Sequence, residues 1–265
     1  EDLREILADS TQPGTLQVDL NKWDSSPYQP TPDILAAARE VFAGHDVSAI
    51  NFSHADNLGI TVDYIRNTIA AACAMGDRVA VIRKGVLQQI DTPREIYLYP
   101  KNIFVAGFIG SPAMNFVYAD IKTSAKGTTL IFGNDKILAK DAPEALKEYE
   151  GKEIVLGIRP EAFEDSVYAN KKEFTEEINI DVSLLEQLGS DTYIHFFKDI
   201  KPVQTEAIEE ILADEGEDIS VLGTQTKFIA RINPNATIEE GQNINLAIDP
   251  TKLHYFNPET GMAIT

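Results

Sequence analysis

The sequence after Asn115 constrains the fold most. From there to Thr265 the chain is cut into short runs, FVYADIKT, TTLIFG, EIVLGIR, EINIDVSLLEQL, TYIHFF, TKFIARI, NINLAI and KLHYF, with turn-forming residues between them. Runs rich in β-branched and aromatic residues, alternating apolar with polar, fit the half-buried surface of a sheet. Strands this short and closely spaced predict a small barrel or sandwich, and a pair of small barrels fits the length. No fixed-period repeat is visible.

Before Asn115 the signals alternate. TLQVDL reads as a strand ending at Asp19 and VSAINF as a second strand. PDILAAAREVFA and ITVDYIRNTIAAACAM read as helices, so the first 75 residues predict an α/β unit with a parallel sheet. From Arg78 two short β segments, VAVI and VLQQI, flank the turn signal Arg83-Lys84-Gly85. In TPREIYLYP, Thr92 suits an N-cap, Pro93 the first helical position, and Glu95 lies three residues after the cap. Pro100 ends that helix. FVAGFIGSPAMNF follows, apolar and punctuated by Gly107, Gly110 and Pro112, too short to cross a bilayer and without convergent polar groups for a ligand.

Charge excludes some partners. A formal net charge of −19 disfavours nucleic acid held by phosphate neutralisation and docking on an anionic membrane surface. Cys73 is the only cysteine, which excludes an intrachain disulfide and a thiolate zinc cluster and fits a small core residue. The acidic stretch between Asp199 and Asp218 reads as a solvated loop or short helix, with a cation or partner site as the lesser alternative. No signal peptide opens the chain and no apolar run reaches the length of a spanning helix, so a cytoplasmic location without membrane insertion is expected. The chain opens on Glu1 without a Met, so its true beginning is expected upstream.

Catalytic signatures are missing from the sequence. There is no GxxxxGK[ST] phosphate loop, GxGxxG, GxSxG or HExxH, and His45, His54, His195 and His254 lie far apart. His195 and His254 fall in strand patterns that favour packed imidazoles. No catalytic residue and no metal site is assigned.

The stretch MGDRVAVIRKGVLQQIDTPREIYLYPKNIFVAGFIGSPAMNF, Met75 to Phe116, closely resembles the end of the nucleotide-binding domain of carbohydrate-importing ABC transporter ATPases, of the maltose and glycerol-phosphate importer type. GIRPEAF at Gly157–Phe163, LLEQLGSDTYIHF at Leu184–Phe196, FIARINP at Phe228–Pro234 and the closing AIDPTKLHYFNPETGMAI resemble the family's C-terminal regulatory domain. The resemblance implies three parts: residues 1–74, an α/β segment, degenerate or unrelated to an ABC nucleotide-binding domain; residues 75–113, the end of such a domain; and residues 114–265, an OB-like regulatory domain. The fold class expected is thus an α/β, partly P-loop NTPase-like segment followed by an all-β OB-like domain. Gly107, Gly110, Ser111, Pro112 and Asn115 would form the joint between domains, with the glycines serving close packing and a bend. Gly157, Arg159, Pro160 and Glu161 would be the regulatory domain's motif. Arg159 and Glu161 either hold polar contacts at a domain edge or form a solvated ion pair.

The family's phosphate loop and LSGGQ signature have no counterpart in these residues, so no nucleotide cofactor is expected for this chain, although the family uses MgATP. Asp19, at the end of TLQVDL, and His54 are the candidates for the Walker B aspartate and the switch histidine. Ungapped counting back from Met75 puts Asn67 at the switch position instead, and Asn cannot act as acid or base. The resemblance implies ABC permease subunits as partners, a homodimer through the regulatory domain, and a location at the inner face of the cell membrane. The alternatives are a stand-alone OB-like binding module and a fusion with an unrelated α/β enzyme segment.

Overall fold

The structure, a computed structural model, describes residues 17–19, 48–51, 78–83, 86–209 and 224–265. The chain divides into two compact units, the first running to Lys101 and the second starting at Asn102.

In the first unit, β1 (Gln17–Asp19), β2 (Ser48–Asn51), β3 (Val79–Arg83) and β4 (Val86–Asp91) form one sheet in that order. β1 pairs parallel to β2 and β2 parallel to β3, while β4 turns back antiparallel. The helices expected between these strands lie outside the described residues, as do Lys84 and Gly85 of the turn. Helix α1 (Pro93–Leu98) starts as its sequence requires: Thr92 Oγ1 accepts from the Glu95 N–H at 3.2 Å and Pro93 opens the first turn. Pro100 follows just beyond its end. Gln89, only 3% exposed on β4, satisfies the chain leaving α1, since its amide donates to Tyr99 O and accepts from the Lys101 N–H.

The second unit is β-rich, as the strand texture predicts. After α2 (Ile103–Phe108) come β5 (Asn115–Ser124), β6 (Gly127–Phe132), β7 (Asp135–Ala139), β8 (Glu153–Ile158), β9 (Phe163–Asp165), β10 (Glu176–Asp181), β11 (Leu184–Gln187), β12 (Thr192–Lys198), β13 (Thr226–Ile232), β14 (Asn243–Ile248) and β15 (Leu253–Phe256). They make a five-stranded sheet, β15-β8-β5-β6-β7, and two three-stranded sheets, β10-β14-β9 and β11-β12-β13. Their pairings are antiparallel throughout. Alternation sets the faces: Val117, Ala119 and Ile121 of β5 point into one core with Leu156 and Ile158 of β8 and Phe196 and Phe228 of β12 and β13. Phe196 stacks on Phe228 at 5.2 Å and meets Phe163 edge-on at 6.0 Å.

EINIDVSLLEQL, which reads as one strand, is two. Ile178, Ile180 and Val182 point inward, but Leu184 is 44% exposed, so the alternation breaks at Ser183. There the backbone changes partners: the Val182 N–H donates to Gln242 O and the Ser183 N–H to His195 O. One run thereby feeds two sheets, a corner where the strand switches sheets without a turn.

Candidate functional site

The opposite face of the five-stranded sheet carries a second apolar cluster: Ile103 and Ala106 of α2, Met114, Val155, Phe256, Val203 and Ile208. Motifs from distant parts of the sequence converge at its edge. Asn115 opens β5 directly opposite Ile158, the last residue of β8, and Phe116 faces Gly157, which in turn faces His254 of β15.

Asn115 is the tie. Its side chain, 7% exposed, donates to Ile158 O at 2.8 Å and Ile229 O at 2.9 Å, and accepts from the Ile229 N–H at 2.7 Å. The accepted bond fixes which end of the amide is oxygen. One side chain thus joins β5, β8 and β13, strands of two different sheets, and uses its hydrogen-bonding capacity on backbone groups that would otherwise be underpaired in the interior.

Gly157 has a steric role. A Cβ there would run into the Met114 sulfur and lie 3.0 Å from Phe256 Cε2 and 3.3 Å from His254 Cβ. Met114 therefore seats on the bare backbone of β8, and the stretches GSPAMN and GIRPEA lock together.

Arg159 is 3% exposed, and its Nη1 donates to Ile109 O at 2.8 Å, just past the end of α2. A solvated guanidinium is thus excluded: the Arg159 side chain is inside the unit, where it satisfies a carbonyl of the α2 exit. Pro160 begins a 3₁₀ turn, Pro160–Ala162, where its missing N–H costs nothing. Glu161 lies in that turn, and the phenol of Tyr193 is raised by burial first, then by Asp191, and more weakly by Glu161. His254 stacks on Phe256, with ring centroids 6.5 Å apart. Burial, helped by the Arg159 charge, lowers its pKa to about 4, so the imidazole is neutral at physiological pH.

The joint residues take distinct places. Gly107 is buried within α2. Gly110 has φ of 135°, a backbone that side chains rarely adopt, and the Ser111–Pro112 bond is cis. Asp19 ends β1, but the residues after it, with His54 and Asn67, lie outside the described residues, so no geometry connects the two nucleotide-site candidates. Among the described residues no group of three or more His, Cys, Asp and Glu could hold a metal ion, and no helix is long and apolar enough to cross a membrane. The arrangement is a mechanical junction, closed by packing and buried hydrogen bonds. Met114, Ile229 and His254 belong to it, and sequence reasoning does not find them, because Asn115 and Ile229 lie 114 residues apart.

Comparison with known proteins bears on part of this junction. Residues 110–163, which hold both GSPAMN and GIRPEA, match the MalK OB fold domain. Across 78% of its length the chain is 36% identical to the trehalose import ATP-binding protein SugC of Mycobacterium tuberculosis, of which it covers 52%. It is 34% identical to the trehalose/maltose import ATP-binding protein MalK of Thermococcus litoralis, covering 49%, and 32% identical to the oligosaccharides import ATP-binding protein MsmX of Bacillus subtilis, covering 50%. A solved structure of the cytoplasmic molybdate-binding protein ModG overlaps 54% of this chain and 96% of its own at 12% identity, with a TM-score of 0.34, too loose a match to carry weight. The described part of the chain is β-rich, and residues 110–163 are similar to an OB domain of the MalK type. More particularly, the chain is a relative of the ATP-binding subunits of carbohydrate ABC importers, and it spans about half the length of the curated relatives it matches.

Proposed function

We propose that this chain is the C-terminal regulatory and dimerisation portion of the ATP-binding subunit of a bacterial carbohydrate ABC importer. The supporting observation is the junction itself. The family motifs GSPAMN, GIRPEA, FIARI and KLHYF, dispersed over more than a hundred residues, meet around Asn115 and Gly157, and the first two of them lie in residues 110–163, which match the MalK OB fold. Scattered family-like motifs gathered at one packed point are what a shared architecture requires.

In this reading the chain works at the cytoplasmic face of the membrane beside a pair of permease subunits and dimerises through its β-rich unit. It hydrolyses no ATP, because these residues include neither a phosphate loop nor LSGGQ to offset the charge of the triphosphate. MgATP belongs to the catalytic part of the family's proteins. Light scattering on the purified chain tests the dimer, with a mass twice that of one chain expected, and MgATP turnover assayed on the same sample is expected to be nil. A monomer at tens of micromolar, or turnover by this chain, would overturn the corresponding part of the proposal.

A further inference from the structure

The connection from β12 to β13 is longer than the fold needs. The two strands pair to their very ends, Lys198 opposite Thr226, so a tight turn would join them. The stem is closed on its own: Gln225 Nε2 donates to Asp199 Oδ1 at 2.6 Å and Thr226 Oγ1 to Ile200 O at 2.7 Å. Instead residues 199–225 separate the two strand ends. Excursions beyond about 12–15 residues inside a compact domain are uncommon and usually functional.

The described part of this excursion, residues 201–209, does not hang in solvent. It runs to the other face of the five-stranded sheet, where Val203 and Ile208 are 2% and 6% exposed and pack with Ile103 and Ala106 of α2, Met114, Val155 and Phe256. Ala207 joins the same cluster from its edge. Thr205 starts a single helical turn there, accepting the Ile208 and Glu209 N–H groups on its carbonyl oxygen, while the Gln204 N–H reaches Tyr118 Oη at a long 3.4 Å. Attachment is thus mainly apolar, through side chains set five residues apart. Apolar attachment is non-directional and holds a segment in place without locking it into one hydrogen-bond register.

We infer that residues 201–209 are an internal strap that clamps α2 onto the sheet, so that seating and release of the strap set how firmly α2 is held. The inference is independent of the transport reading, since it rests only on the closed stem, the length of the excursion and the shared cluster.

Hydrogen exchange tests it on two variants of the full chain. In the first, residues 201–223 are replaced by Asn-Gly, which keeps the register that sets Lys198 opposite Thr226. In the second, Val203→Ala and Ile208→Ala leave the length unchanged. The amides to follow are Ala106, bonded to Asn102 O, and Ile109, bonded to Val105 O, against the ladder between β5 and β8. In both variants the α2 amides are expected to exchange at least ~10-fold faster, while the β5–β8 ladder keeps its protection. Unchanged α2 exchange would overturn the inference, because the strap would then be a passive cover. Equal acceleration of the ladder, or failure of the shortened chain to fold, would overturn it too, because the segment would be ordinary core.

Discussion

Asn115 shows what a single polar side chain does in a largely apolar interior. Its amide completes three bonds to backbone atoms on β8 and β13, so truncation leaves those groups buried without partners. Asn115→Ala is expected to lower stability by about 2–4 kcal/mol in urea or guanidinium unfolding, since each unsatisfied buried group costs about 1–3 kcal/mol. A loss below about 1 kcal/mol would mean that the two sheets are held together by packing alone. His254 gives a second prediction, in pH. Its folded pKa, lowered to about 4 by burial and then by Arg159, lies below the ordinary 6.5, so between these values the unfolded chain binds the extra proton. The contribution of neutral His254 is therefore complete above pH 6.5, shrinks as pH falls towards 4, and is gone below it. It amounts to on the order of 3 kcal/mol. In His254→Gln that part of the pH–stability curve should flatten, which thermal or denaturant melts across the window would show. An unaltered slope would assign the acid sensitivity to other groups.

Among the elements, α2 and the turn after it depend most on particular backbone demands. The helix is capped by Asn102, whose side chain accepts from the Val105 N–H at 2.9 Å, and its exit is held by Arg159. Gly110 follows with φ of 135°, a conformation that a β-branched residue adopts only under strain. Gly110→Val is expected to destabilise the second unit by about 1–3 kcal/mol, readable as a lower unfolding midpoint. An unchanged midpoint would show that the turn can relax. Much at this scale was legible beforehand. The Thr92 cap, Pro93 at the first helical position, and strands such as TKFIARI and NINLAI follow from local chemistry that a short window contains. The corner at Ser183 was not legible, because both halves of EINIDVSLLEQL have strand composition, and only the change of hydrogen-bond partner from Gln242 to His195 separates them. The burial of Arg159 was equally hidden: a guanidinium next to Pro and Glu reads as surface, and the Ile109 carbonyl that it satisfies lies 50 residues earlier.

On the scale of the whole molecule, motif order was the informative signal and site geometry was not. Residues Met75–Phe116 and the later motifs point to the carbohydrate importer ATPases, and the MalK OB fold match at residues 110–163 agrees. That GSPAMN, GIRPEA, FIARI and KLHYF touch one another around Gly157 and Asn115 depends on long-range pairing of β5 with β8 and of β12 with β13, which no local pattern reveals. For the candidates Asp19 and His54 the reading stays with the sequence, since His54 lies outside the described residues. The central proposal is that this chain serves a carbohydrate ABC importer, and the most direct measurement is co-purification. The full chain, tagged and co-expressed with the permease pair of a carbohydrate importer from its own genome, should be recovered from detergent extracts in a stable complex with both permease subunits. Recovery of the chain alone, with every such permease pair left in the flow-through, would contradict the account.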